Sequence, residues 1–110
     1  MGVDGFRFDL GIALSRGENL IPLENPPIFE DIECDPELAD IKLISEPWDC
    51  GGLYKVKDFP SKKIFTWNGH FRDDLRRFWK GDKDTAWDMS DKIKGSPSHY
   101  TENNLSLIHI

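Results

Sequence analysis

The chain has 110 residues, enough for one small domain, and its 38% hydrophobic and 31% charged residues are those of an ordinary soluble globular sequence. A net charge of -6 argues against nucleic acid as a partner, because phosphate binding needs clustered Lys and Arg. The one basic cluster, Arg72, Arg76, Arg77 and Lys80, is interleaved with Asp73, Asp74 and Asp82 and reads as a salt-bridged helix face.

No apolar run approaches the ~20 residues of a membrane span. Met1 is followed at once by strand-like sequence, with neither a basic nor an apolar leader segment, so no secretory signal is expected. Cys34 and Cys50 lack metal-ligand or redox spacing and are expected to be reduced thiols in a cytosol-like compartment.

Residues 3–9, Val-Asp-Gly-Phe-Arg-Phe-Asp, predict a strand with Val3, Gly5, Arg7 and Asp9 on one face and Asp4, Phe6 and Phe8 on the other. An apolar Phe6/Phe8 face opposite Arg7/Asp9 suits a strand packed under helices whose far end opens into a polar pocket. Residues 10–25, with Gly11, Gly17, Asn19, Pro22 and Asn25, predict a loop with a short helical turn. Asn25-Pro26-Pro27 predicts a helix start capped by Asn25, with Ile28, Phe29 and Ile32 as the apolar face. Asp35-Pro36 restarts a helical turn with Leu38 inward. Residues 41–45 are β-rich and stop at Glu46-Pro47, where proline removes a ladder donor.

Strand, helix, strand is a βαβ unit, so the fold class is α/β with two parallel strands, and Asp9 and Glu46 fall at their carboxyl ends. That edge is where active sites of barrels and open α/β sheets are built. Residues 47–66 predict one long loop. Asn68 caps a helix over roughly 69–80 with Phe71, Leu75, Phe78 and Trp79 as its apolar stripe and Gly81 as its stop. A further helix over roughly 84–94 is expected to bury Trp87 and Ile93 and to end at Gly95-Ser96-Pro97.

Two carboxylates on neighbouring strand ends suit a retaining glycosidase, which needs a nucleophile and an acid/base about 5–5.5 Å apart. Arg7, on the face of Asp9, can keep a nucleophile ionised. Pro47 and Trp48 can give Glu46 the less polar setting of a proton donor. On spacing alone, a structural role as cap or ion-pair partner is the commoner reading of both residues. Trp48, Trp67 and Tyr54 suit stacking on sugar rings or plain packing, and Asp49 suits a site contact or a loop cap. His70, His99 and His109 share no ligand spacing, so no metal and no cofactor is expected.

The segment Val3-Asp4-Gly5-Phe6-Arg7-Phe8-Asp9 resembles the strand-four signature of the α-amylase superfamily, glycoside hydrolase family 13. Leu43-Ile44-Ser45-Glu46-Pro47-Trp48-Asp49 is similar to the strand-five signature of its isoamylase and glycogen-debranching branch. The resemblance continues through Pro26-Pro27, Asp35-Pro36, Asp49-Cys50-Gly51-Gly52-Leu53-Tyr54, Trp67-Asn68-Gly69, Phe71-Arg72-Asp73-Asp74 and Arg76-Arg77-Phe78, and reaches Gly95-Ser96-Pro97.

It implies a (β/α)8 barrel, of which this chain carries strands four and five with their helices. It implies Asp9 as nucleophile, Arg7 as its partner and Glu46 as acid/base, and a branched α-glucan or limit dextrin as the substrate, for which Trp48, Asp49 and Tyr54 are the candidate contacts. The implied reaction is hydrolysis of α-1,6 branch points. A non-catalytic glucan-binding or regulatory relative, or another hydrolase of the superfamily, is the alternative. Cytoplasm and plastid stroma both fit. The resemblance also implies a third catalytic Asp after strand seven and an Asn-His pair at strand three, outside this sequence. Two departures stand out: Gly11-Ile12 where the family often has Ala-Ser, and Phe65-Thr66 where it usually has Ala-Glu.

Residues 105–110, Leu-Ser-Leu-Ile-His-Ile, are the translation of CTGTCTCTTATACACATC, a transposase end used in preparing sequencing libraries. They are expected to be adapter-derived, leaving 1–104 as a fragment of the catalytic barrel whose Met1 is an internal methionine.

Overall fold

Three short parallel strands, β1 (Gly5–Phe8), β2 (Lys42–Ser45) and β3 (Phe65–Thr66), form a sheet in the order β1-β2-β3. They belong to a computed structural model that describes residues 2–99, so the expectation for the 105–110 tail lies outside the described residues. The chain divides into two compact units, Met1–Thr66 and Trp67–Ile110.

In the first unit, Phe8 stands beside Ser45 and Arg7 beside Ile44 across the β1/β2 pair, and the Glu46 amide donates to the Phe8 carbonyl (3.1 Å). The helix α1 (Pro27–Cys34) lies in the connection, so the predicted βαβ unit is present. Phe29 of α1, Leu43 of β2 and Ile64 form the buried core, with Phe8, Ile32, Ile41 and Phe59 packed around it. Phe29 meets Phe59 edge-on at 5.2 Å. Burying a side chain such as Phe29 contributes about 1.5–3 kcal/mol.

Several details differ from the sequence expectation, among them Ile28, expected on the apolar face of α1 and 40% exposed. Phe6 is half exposed and stays out of this cluster, which Phe8 joins from β1. The cap of α1 falls on Pro26, without a side-chain hydrogen bond, since Pro27 already occupies the first helical position; Asn25 does not cap. The 47–66 segment ends in β3, whose two residues are too few to show a period of two. Thr66 is buried there, and its hydroxyl donates to the Val56 carbonyl (3.1 Å), which gives the Thr66 departure a structural role.

The Gly11 departure also has a physical cause. A Cβ at position 11 would lie 2.0 Å from Ser45 Oγ and 2.8 Å from Phe8 Cβ. Ser45 is buried, so it has little room to retreat. Gly11→Ala is therefore expected to destabilise the protein by about 1–3 kcal/mol, the usual cost of overpacking. Ser45→Ala alongside it in the complete protein is expected to recover part of that loss, since Phe8 Cβ still crowds the new methyl; a double-mutant cycle by denaturant titration of the complete protein that finds the two changes additive would contradict the Ser45 contact.

In the second unit, α2 (Gly69–Lys80) starts where predicted, with the Asn68 side chain accepting from the Phe71 amide (3.0 Å), and stops at Gly81 in the left-handed region. The third helix, α3 (Ala86–Ile93), packs on α2, but Trp87 and Ile93 are 76% and 71% exposed. Its inner face is instead Met89 and Lys92, one turn apart, continuing through buried Thr85 and Ser96. Lys92 is tolerated inside because its ammonium pairs with Asp91 (3.1 Å) and Asp74 (3.5 Å). Hydrophobicity alone ranks Trp87 and Ile93 first and misses a paired lysine. In α2, Phe71 and Leu75 are half-buried, whereas Phe78 and Trp79 are exposed.

Candidate active site

Asp9 follows β1 and Glu46 follows β2, at the carboxyl ends of neighbouring parallel strands. One guanidinium joins them. Arg7 Nη1 donates to Asp9 Oδ1 (2.7 Å), and Arg7 Nη2 donates to Glu46 Oε1. The sequence reading gave Arg7 to Asp9 alone; the structure has it bridging both carboxylates. The second oxygen of Glu46 accepts from the Leu10 amide (2.9 Å). Leu10 sits at φ 44°, in the left-handed region that non-glycine residues rarely occupy, at a cost of about 1–3 kcal/mol. That turn redirects the chain right after Asp9 and aims its N–H at Glu46. The two carboxylates differ in setting: the side chain of Asp9 is 75% accessible and that of Glu46 is 12% accessible.

The loop after β2 carries the remaining candidates. Trp48 and Tyr54 bridge as an antiparallel pair, and their rings stack at 6.0 Å and 17°. Tyr54 is exposed and Trp48 half-buried. Asp49 lies in the loop between them with its side chain 4% accessible. Its Oδ1 accepts from the Gly51 amide (2.8 Å) and the Leu53 amide (2.9 Å), and its Oδ2 accepts from Arg16 Nε (2.6 Å). The Arg16 guanidinium, with those two amides, holds the Asp49 carboxyl below its ordinary value, and the Asp49 hydrogen bond raises Arg16. Asp49 thus ties the loop. Arg16 had no sequence signal, because its partner lies 33 residues away.

Among the described residues, no group of three or more His, Cys, Asp and Glu can hold a metal ion, and no helix is long and apolar enough to cross a membrane. His70 and His99 come together in the second unit, with rings 4.6 Å apart, which their spacing did not suggest. Burial, first of all, lowers His99 from its usual value. Cys34 and Cys50 are exposed free thiols. Trp67 is half-buried in the second unit. Two cavities of the first unit, about 660 and 350 Å³, are lined by residues such as Glu33 and Ser61 or Leu23 and Lys55, and neither includes the carboxylate pair.

No family model matches the sequence. Individual proteins do, and they are glycoside hydrolases: the chain is a homologue of enzymes of that class. More particularly, it is homologous over most of its length to isoamylases and glycogen debranching enzymes. It is 45% identical over 108 residues to isoamylase 3, chloroplastic, of Oryza sativa subsp. japonica, covering 97% of this chain and 14% of that protein. It is 42% identical over 120 residues to isoamylase 1, chloroplastic, of the same plant, covering 91% and 15%. It is 43% identical over 96 residues to the glycogen debranching enzyme of Klebsiella pneumoniae subsp. pneumoniae, covering 86% and 14%. The chain therefore spans 14–15% of the length of these relatives.

Proposed function

We propose that the protein containing this sequence hydrolyses α-1,6 branch points of glycogen- or starch-type glucans with retention, and that residues 1–104 are part of its catalytic (β/α)8 barrel. The observation that carries the reading is Arg7 spanning Asp9 and Glu46, because a single planar guanidinium holds two carboxyl groups close together, as a retaining pair requires. The relatives named for isoamylase and glycogen debranching support the substrate class.

In this mechanism Asp9 attacks the anomeric carbon of the branch glucose. The bond to the branch-point oxygen breaks, and Glu46 gives that oxygen its proton. Water then attacks the β-glucosyl ester, Glu46 takes the water's proton, and Asp9 leaves as carboxylate. Both Glu46 oxygens hold a donor in this structure, and a protonated Glu46 needs one of them free. Arg7 then stays with Asp9 while Glu46 carries the proton. Trp48 and Tyr54 offer apolar ring faces to the glucan, and Asp49 shapes their loop.

The test is hydrolysis of glycogen by the complete protein, followed by proton NMR of the newly released reducing ends. The expected first product is the α-anomer; a β-anomer first, or no chain release, would overturn the reading.

A further inference from the structure

The loop after β1 and the loop after β2 are fastened by one charged pair. Arg16 Nε reaches Asp49 Oδ2 at 2.6 Å, while Arg16 Nη1 donates to the Leu20 carbonyl at 2.5 Å. Arg16 is thereby fixed at both ends of its guanidinium. Its own backbone is held in a turn that pairs with Pro22, and the Leu23 amide returns to the Ser15 carbonyl (2.9 Å).

On the other side, Asp49 closes the 49–53 turn through two amides, and the Asp49 amide donates to the Leu53 carbonyl (3.1 Å). The Lys55 amide donates to the Pro47 carbonyl (2.7 Å), so the two arms carrying Trp48 and Tyr54 run side by side. Gly51 permits the close approach of the loops: a Cβ there would lie 2.5 Å from Arg16 Nη2. The side chains of Asp49 and Arg16 are 4% and 14% accessible, so the pair is largely shielded from water and salt.

From this we infer that Arg16 and Asp49 are positioning residues for glucan recognition. They hold Trp48 and Tyr54 stacked, so that the pair presents one preformed aromatic face to a pyranose ring. The inference rests on the proposed α-glucan substrate and names how this loop meets it. A face already ordered before the sugar arrives loses less side-chain freedom on binding, which raises affinity without a new contact. Arg16 touches no sugar and acts only through Trp48 and Tyr54.

The experiment measures maltohexaose binding to the complete protein by titration calorimetry, a readout independent of bond cleavage. Trp48→Ala is expected to weaken binding about tenfold, equivalent to ~1.4 kcal/mol. Arg16→Ala is expected to weaken it to a similar degree, and the double variant by no more than either alone, since both remove the same face. Arg16→Lys keeps a cation but not the two-pronged grip, and its loss is expected to fall between wild type and Arg16→Ala.

Unchanged affinity in Arg16→Lys and Arg16→Ala overturns the inference, as do additive losses with Trp48→Ala. If Arg16→Ala fails to fold, Arg16→Lys paired with Trp48→Ala carries the same comparison. Wild-type protein that binds no maltohexaose overturns it outright. Wild-type protein that binds with the expected pattern but releases no chains from glycogen sinks the hydrolase reading and leaves the positioning role standing.

Discussion

Asp9→Asn in the complete protein is expected to lower kcat on glycogen by at least about 10⁴-fold, the scale on which a nucleophile's removal is felt. The amide cannot form the glycosyl ester, and it no longer offers Arg7 Nη1 a charged acceptor at 2.7 Å. Glu46→Gln is expected to fail differently. It removes the proton needed by an alcohol leaving group, so glycogen cleavage is lost as well. Fluoride leaves without protonation, so Glu46→Gln should still react with α-maltosyl fluoride, releasing about one equivalent of fluoride quickly. Turnover then slows, because no base activates water for the second step. Asp9→Asn should show no such burst. Stopped-flow fluoride release separates the two roles: a burst in Asp9→Asn with none in Glu46→Gln would reverse the assignment, and normal glycogen cleavage in either would end it.

Much of this arrangement was legible because strands end for local reasons. Alternation over residues 3–9 and the stop at Pro47 were enough to put Asp9 and Glu46 on one edge, and the observed pairing of Phe8 with Ser45 agrees. The Asn68 cap and the Gly81 stop were equally local, and α2 has the expected bounds. What escaped was non-local. Arg7 turns toward Glu46 as well as Asp9 only because β2 lies beside β1 in that register. Arg16 finds Asp49 across the loops, and Leu10 enters the left-handed region to bring its amide to Glu46. Lys92 lies inside because two aspartates meet its ammonium, while Trp87, the more apolar residue, faces outward. Periodicity reports which face a residue shares; it does not report which charges the fold will bring to that face.

The 110-residue chain by itself is expected to show no cooperative unfolding transition and no release of chains from glycogen. The first unit buries Phe29, Leu43 and Ile64 in one small cluster, and among the described residues its sheet has three strands, of two to four residues each. Parallel sheets are stable where both faces are covered. Here the edge strands β1 and β3 leave Phe6 51% and Phe65 45% exposed. The second unit leaves Trp79 78% and Trp87 76% exposed, the sort of apolar surface a stable monomer rarely shows to water. Uncovered strand edges add a route to self-association. Thermal melting followed by near-ultraviolet circular dichroism should therefore give a shallow, featureless change. The dye ANS should bind strongly, as it does where apolar surface is loosely packed. A steep two-state melt without dye binding would mean that the small core suffices. Branch-point hydrolysis by the chain alone would mean that Asp9, Glu46 and Arg7 need nothing beyond these residues.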